Sequence, residues 1–258
     1  MPEGDTVYRS AKALDAVLAG TVLVRCDIRV PAFATVDLSG DTVEKVASRG
    51  KHLLMRVGEY TIHSHLTMEG SWQIYPRGAR WRKPEWQARA ILANAEWEAV
   101  GFQLGQLDVV RREDEGQLVD YLGPDLLGPD WDAAVAVENL SADPKRPIGL
   151  ALLDQRNLAG IGNVYRNEIC FLRGVLPTRP VGEVDDLERM VDLAKRLLEA
   201  NKDRAERTTT GKLRGDTDWV YRREGRRCLR CGTAVRHGEL GDSELQLRDI
   251  YWCPHCQR

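Results

Sequence analysis

Four cysteines do most to limit what this chain can become. Cys228-x-x-Cys231 and Cys253-x-x-Cys256 form two pairs with 21 residues between them. Each pair makes a knuckle whose sulfurs converge, and two knuckles give a closed, tetrahedral four-thiolate zinc site. The stretch between has room for a β-hairpin: residues 233–236 outward, a turn over 238–242, residues 245–252 back. So small a module needs its metal to hold together. A closed site leaves no position for water, so this zinc is structural and not catalytic. A redox dithiol is the other use of Cys-x-x-Cys, but it needs only one pair. His255, inside the second knuckle, could replace a cysteine as ligand. Cys26 and Cys170 stand alone in apolar surroundings and read as small buried side chains.

The rest of the chain is long enough for two cores. Its 258 residues are 43% apolar and 29% charged, an ordinary globular composition. No apolar run reaches the ~18–20 residues of a membrane span. The start, Met1-Pro2-Glu3-Gly4-Asp5, lacks a signal-peptide core. A cytoplasmic protein with no membrane partner is expected. Charge is uneven along the chain. Residues 1–200 carry 24 Lys/Arg and 30 Asp/Glu, whereas residues 201–236 carry 11 and 5. A basic segment on an acidic body suits a phosphate-binding face, or equally a solvated surface.

Periodicity divides the chain. Val7, Ala11, Leu14 and Leu18 form one apolar stripe and predict a helix over 5–19, ended by Gly20. Short Val-, Ile-, Leu- and Thr-rich runs at 22–30, 42–47, 52–57, 61–65, 88–93 and 107–110 then predict a β-sandwich or barrel. From about residue 126 the pattern turns helical, at 131–140, 147–155, 163–172 and 184–207. The fold class is therefore α+β and multidomain. An N-terminal β-sandwich with a leading helix spans 1–125, a helical domain 126–210, and the cysteine module lies within 211–258.

Two further places carry chemistry. Gly160-Ile161-Gly162-Asn163 opens a helix, where glycines permit close backbone approach and the first N–H groups favour an anion. Asn163 can cap that helix or give its amide to a phosphate. Arg248, on the return strand of the hairpin, is either an exposed strand arginine or one aimed at phosphate. At the other end, removal of Met1 would expose the secondary amine of Pro2. Such an amine is far less basic than lysine, so a useful fraction is unprotonated near neutrality. It can add to a sugar C1′ and form an iminium, with Glu3 beside it as an acid or base.

In combination and order these residues resemble the bacterial formamidopyrimidine-DNA glycosylase/endonuclease VIII family. The resemblance runs along the whole chain. It rests on Pro2-Glu3, Arg49-Gly50-Lys51-His52-Leu53-Leu54, Ser64-His65-Leu66-Thr67-Met68-Glu69-Gly70, and Asp154-Gln155 through Gly160-Ile161-Gly162-Asn163-Val164-Tyr165. The Val220-Tyr221 lead-in, both cysteine pairs and Arg248 complete it. The Pro-Glu-Gly start looks like the endonuclease VIII branch, which favours oxidised pyrimidines.

The resemblance implies a helix–two-turn–helix motif in the helical domain and roles for single residues. Pro2 is the Schiff-base nucleophile and Glu3 the proton donor to the opening sugar. Lys51 contacts the phosphate beside the lesion and supports elimination. Asn163 and Arg248 hold flanking phosphates. His65 is a further phosphate contact or a plain strand histidine. Met68 matches an intercalating wedge that fills the gap left by an everted base; outside that motif it would read as a packed strand methionine. One zinc, damaged DNA as partner, no organic cofactor and a monomer are expected. The implied activity is removal of an oxidised base, then cleavage of the abasic site by β- and δ-elimination. A non-catalytic protein that binds damage or gaps is the alternative on the same scaffold. The sequence departs from the pattern in three places. Residues 102–105 lack the Arg and Phe that complete the wedge in guanine-directed members, leaving Leu104 as the side chain able to fill space. The segment between Thr208 and Cys228 is too short for a full lesion cap. The 21-residue gap between cysteine pairs is long, which suggests an extended hairpin turn.

Overall fold

The computed structural model describes residues 2–258. Two compact units divide the chain. Pro2 and Thr6–Tyr121 belong to the first, Glu3–Asp5 and Leu122–Arg258 to the second.

In the first unit, helix α1 (Gly4–Leu18) turns Val7, Ala11, Leu14 and Leu18 into the core, as the 4-3-4 spacing requires. Eight strands follow: β1 (Arg25–Ile28), β2 (Val43–Arg49), β3 (His52–Val57), β4 (Tyr60–His65), β5 (Ser71–Pro76), β6 (Ala88–Ala93), β7 (Trp97–Phe102) and β8 (Gln106–Arg111). They pair antiparallel into two four-stranded sheets, β1-β6-β7-β5 and β2-β3-β4-β8. One core is built from both, with Leu53, Met55 and Ile62 of one sheet beside Leu92 and Ala99 of the other. The short helix α2 (Gly116–Val119) comes after them.

Strands β5 and β7 were absent from the periodicity. Glu98 and Gly101 break the pattern in β7, and each has a tertiary reason. Glu98 is buried because Trp81 Nε1 donates to its carboxylate at 2.6 Å. A Cβ on Gly101 would lie 2.6 Å from Leu104 Cδ1. The first predicted strand is cut down to β1, with Val22 making only an isolated bridge to Thr42.

The second unit contains α3 (Ala133–Ser141), α4 (Ile148–Ala151), α5 (Asn163–Arg173) and α6 (Leu187–Asn201), joined by a core that includes Leu140, Ile148, Leu158, Tyr165 and Leu198. Asp132 caps α3 by accepting the N–H groups of Ala134 and Val135. Helix α4 is one turn long, not the 147–155 expected. The Gln155 side chain instead braces a loop, donating to Leu153 O and Ile161 O and accepting the Gly160 N–H. Helix α6 is shorter than 184–207. Asp186 caps its start, and Asn201 ends it with a two-way side-chain bond to the Thr208 backbone.

Strands β9 (Arg236–Leu240) and β10 (Arg248–Trp252) make the C-terminal hairpin. The turn is later than the predicted 238–242, because Gly238 is a strand residue opposite Ile250, lying under the Trp252 ring. Residues 241–247 form the long connection. Among the described residues no helix is long and apolar enough to cross a membrane.

Candidate active site and metal centre

The N-terminus of α5 is the focus of the second unit. Glu3 is fully buried there. Its carboxylate accepts the N–H groups of Gly162 and Val164 at 2.8 Å and of Tyr165 at 3.3 Å. An anion at this position satisfies helix donors that have no intrahelical acceptor and meets the positive dipole end. Both glycines of the loop are needed: Gly160 takes φ 114°, and Gly162 has no room for a Cβ beside Glu3. Gly4 N donates to Gly160 O at 2.9 Å, and a Cβ on Gly4 would lie 2.9 Å from Gly160 Cα. Around Glu3, Arg207 reaches to 3.7 Å and also pairs with Asp5, which accepts the Tyr165 hydroxyl at 2.9 Å. Arg207 lies over the Tyr165 ring, 4.6 Å from its centre. Burial first, and then the Asp5 charge, push the Tyr165 phenol far above its ordinary range, so it stays protonated and can donate to Asp5.

The first residue of α5 and its next turn hold the hairpin. Asn163 Nδ2 donates to the Asp249 carbonyl at 3.1 Å, as does Arg166 Nη2 at 2.8 Å. Asn167 Oδ1 accepts the Tyr251 N–H at 2.7 Å. The Asn163 amide thus faces the strand that begins with Arg248, and Arg248 itself is exposed. Arg166 is wholly buried, and burial lowers its pKa to about 10. Its Nε and Nη1 have no hydrogen-bond partner among the described residues. On the same helix, buried Glu168 accepts the N–H groups of Trp219, Val220 and Tyr221 and the Thr209 hydroxyl. It fixes the backbone on either side of the short 210–217 loop.

The four cysteine sulfurs all lie within 4.8 Å of one another. Cys231 and Cys253 are 3.4 Å apart, Cys228 and Cys256 4.0 Å. A tetrahedral zinc with bonds of about 2.3 Å would hold its sulfurs about 3.8 Å apart, so this donor set fits the metal in number, type and spacing. His255 is exposed and outside the cluster. Cys170 is buried in the core, as read from sequence, whereas Cys26 is only half-buried. The knuckles rest on Phe171, Val220 and Tyr251. The chain end is tied back, with Gln257 donating to Val175 O and Arg258 N to Gly174 O.

The first unit holds the other candidates. Gly50 and Lys51 form the two-residue turn between β2 and β3, flanked by the Arg49–His52 pair. Gly50 has φ 57°, the conformation a glycine-first hairpin turn demands. Lys51 is therefore carried at a rigid hairpin tip. Behind it a chain of hydrogen bonds runs through two buried histidines. Tyr121 Oη meets His52 Nε2 at 3.0 Å, His52 Nδ1 meets His63 Nε2 at 2.8 Å, and His63 Nδ1 meets Asp108 at 2.9 Å. Asp108 accepts from one end, so with neutral rings every proton points towards it. Burial, with the charges of His63, His65 and Lys51, lowers the His52 pKa to about 3. His65 is lowered to about 4, mainly by burial. Its Nδ1 accepts the Thr67 N–H at 3.1 Å, which leaves its proton on Nε2.

Met68 is 59% exposed on a turn forced by its neighbours. Thr67 takes φ 55°, costly for a β-branched residue, and a Cβ on Gly70 would lie 2.3 Å from Leu66 O. Leu104, by contrast, is buried in the sandwich core and cannot fill space outside it. Beside it Gln103, at φ 47°, donates to Glu69 at 3.2 Å.

Residues 1–112 match the formamidopyrimidine-DNA glycosylase N-terminal domain, and residues 122–210 match the H2TH domain of that glycosylase. The chain belongs to the formamidopyrimidine-DNA glycosylase family. It is 57% identical to a Streptomyces coelicolor protein named "Probable endonuclease 8 2", over all of this chain and 94% of the relative. It is 52% identical to "DNA-(apurinic or apyrimidinic site) lyase Nei2" of Mycolicibacterium smegmatis, over all of this chain and 99% of the relative. The solved complex of Lactococcus lactis Fpg with DNA containing an abasic site shares the fold, at TM-score 0.82 and 21% identity over the whole of both chains.

For a member of this family, several residues that organise the site carry no signal in the sequence. Glu168, Arg166 and Asn167 look like ordinary polar positions on an amphipathic helix. Their partners are backbone groups about 50 to 85 residues away. Arg207 sits in the basic segment among other arginines, and its contacts with Glu3, Asp5 and the Tyr165 ring set it apart.

Proposed function

We propose that the chain is a bifunctional DNA glycosylase and abasic-site lyase of base-excision repair, acting as a monomer on oxidised pyrimidines with Pro2 as nucleophile. The observation that carries this reading is the capture of Glu3 at the start of α5, which fixes the backbone next to Pro2. A flexible terminus could not hold an amine against C1′; a terminus locked one residue away can. Names carried by relatives at 52–57% identity support the same activity.

In this mechanism the Pro2 nitrogen lone pair attacks C1′, and the base leaves with the electrons of the glycosidic bond. The proton displaced from the Pro2 nitrogen passes to the Glu3 carboxylate, which gives it to the sugar ring oxygen as the ring opens, and an iminium joins Pro2 to C1′. The iminium acidifies the C2′ proton. Its loss expels the 3′ phosphate, and a second elimination expels the 5′ phosphate. Lys51, carried at its hairpin tip, neutralises the phosphate beside the lesion. Arg248 meets a flanking phosphate, and we assign Asn163 to holding the strand that presents it. Zinc, held by Cys228, Cys231, Cys253 and Cys256, would close the hairpin and take no part in bond breaking. Met1, whose removal the mechanism requires, lies outside the described residues.

A protein that only binds damaged or gapped DNA is the disfavoured alternative, since Pro2 and Glu3 are both present. The test is reduction with borohydride in the presence of an abasic oligonucleotide. A covalent adduct that maps to Pro2 is expected. No adduct, or one on Lys51, would overturn the assignment.

A further inference from the structure

Residues 77–89 hold Arg77, Arg80, Arg82, Lys83 and Arg89 against one acid, Glu85. Among them Trp86 is 72% exposed. An indole left in water forgoes the burial that makes tryptophan favourable, and this one has cations on either side in sequence.

Strand register places it. Ser71 of β5 and Ala88 of β6 both lie opposite Phe102 of β7. The connection from β5 to β6 therefore runs back along the sheet and arrives at the end that carries the Thr67–Gly70 turn and Met68. Direct bonds tie the two together. Gln103 N donates to Gln87 O at 2.9 Å, and Gln103 Nε2 to Glu69 at 3.2 Å. Lys83 Nζ donates to Ser71 Oγ at 3.1 Å. Arg29 holds the Glu85 carbonyl and Arg89 the Trp86 carbonyl, so the backbone under the indole is fixed. With Leu104 in the core, this end of the sheet presents Met68 with no second apolar group from residues 102–105.

We propose that Trp86 is a DNA-stacking residue that takes that second place, lying on the base left unpaired opposite the lesion, with Arg80 and Arg82 on the adjoining phosphates. The inference rests on the reading of this chain as a DNA glycosylase. Stacking on an aromatic face tolerates any base, so it would secure the unpaired base without reading its identity.

The test uses a duplex with a tetrahydrofuran abasic-site analogue and 2-aminopurine opposite it. This analogue can form no Schiff base, so binding is read without chemistry. Wild-type protein should change the 2-aminopurine emission on binding. Trp86→Ala should lose most of that change and bind about tenfold more weakly. Trp86→Phe should restore both, and Arg80→Glu with Arg82→Glu should make the salt dependence shallower. Wild-type emission and affinity in Trp86→Ala would overturn the proposal and leave the enzymatic reading standing. Failure of the wild type to bind this duplex would overturn both. Binding without cleavage of any damaged DNA would overturn the enzymatic reading alone.

Discussion

Gly162 donates its backbone N–H to Glu3 at 2.8 Å, and a Cβ on Gly162 would come within 2.5 Å of the Glu3 carboxyl carbon. The glycine is thus a steric condition for seating the carboxylate. Gly162→Ala should cost about 1–3 kcal/mol through overpacking. It should also displace Glu3 and lower base excision. Thermal melting and excision assays together check this, and a variant unchanged in both would mean that the helix start yields freely.

Glu3→Gln replaces an acceptor with a donor on one side of the side chain, opposite an N–H that also donates. Loss of the proton-transfer group should lower base excision by about 10²–10⁴-fold. Cleavage of a pre-formed abasic site, where no base has to leave, should stay within a few-fold. Equal losses in the two assays would remove Glu3 from the excision step.

Chelation, or Cys231→Ser, should free the hairpin from α5 and abolish DNA binding while the sandwich still melts cooperatively. Native mass spectrometry should find one zinc per chain. A metal-free protein that binds DNA normally would refute the assignment.

Acid should destabilise the sandwich through its histidines. The pKa values of His52 and His65 fall to about 3 and about 4 in the folded protein, chiefly through burial. Unfolded, each returns to its ordinary value near 6.5. Their contribution is complete above pH 6.5 and is lost as pH falls towards 4, because the unfolded chain then binds protons that the folded one refuses. His52→Asn should flatten this dependence. Urea midpoints of the two proteins at pH 7 and pH 5 give the slopes, and parallel slopes would contradict the account.

Arg248→Ala should weaken binding to all lesion duplexes alike and reduce the salt slope by about 1, the signature of one lost phosphate contact. Asn163→Ala should weaken binding through a loosened strand, with a smaller change in slope. An unaltered slope for Arg248→Ala would place that guanidinium away from phosphate.

The sequence made some of this architecture legible and hid the rest for physical reasons. Helix α1 could be read because its buried stripe repeats with helical period. The cysteine cluster could be read because ligand spacing is a local constraint. Strand β7 was hidden by Glu98 and Gly101, whose reasons are Trp81 and Leu104 elsewhere in the fold. The hairpin turn was misplaced because Gly238 serves the packing of Trp252 and not a reversal. At the site, the sequence singled out residues that could do chemistry. It passed over Glu168 and Arg166, which arrange backbone, since a carboxylate that collects three N–H groups looks like any other glutamate until the chain has folded.

The capture of Glu3 also imposes an order in time. Its N–H donors lie about 160 residues downstream. At ribosomal speeds of 5–20 residues per second they emerge about 10–30 s after the N-terminus. Throughout that interval nothing in the nascent chain can bury Glu3 in this way. Removal of Met1 in that interval, which the proposed mechanism requires, would act on an open terminus. Once α5 has formed, Glu3 is fully buried while Pro2 stays half-exposed, so the anchor of this terminus is set only after most of the chain has been made.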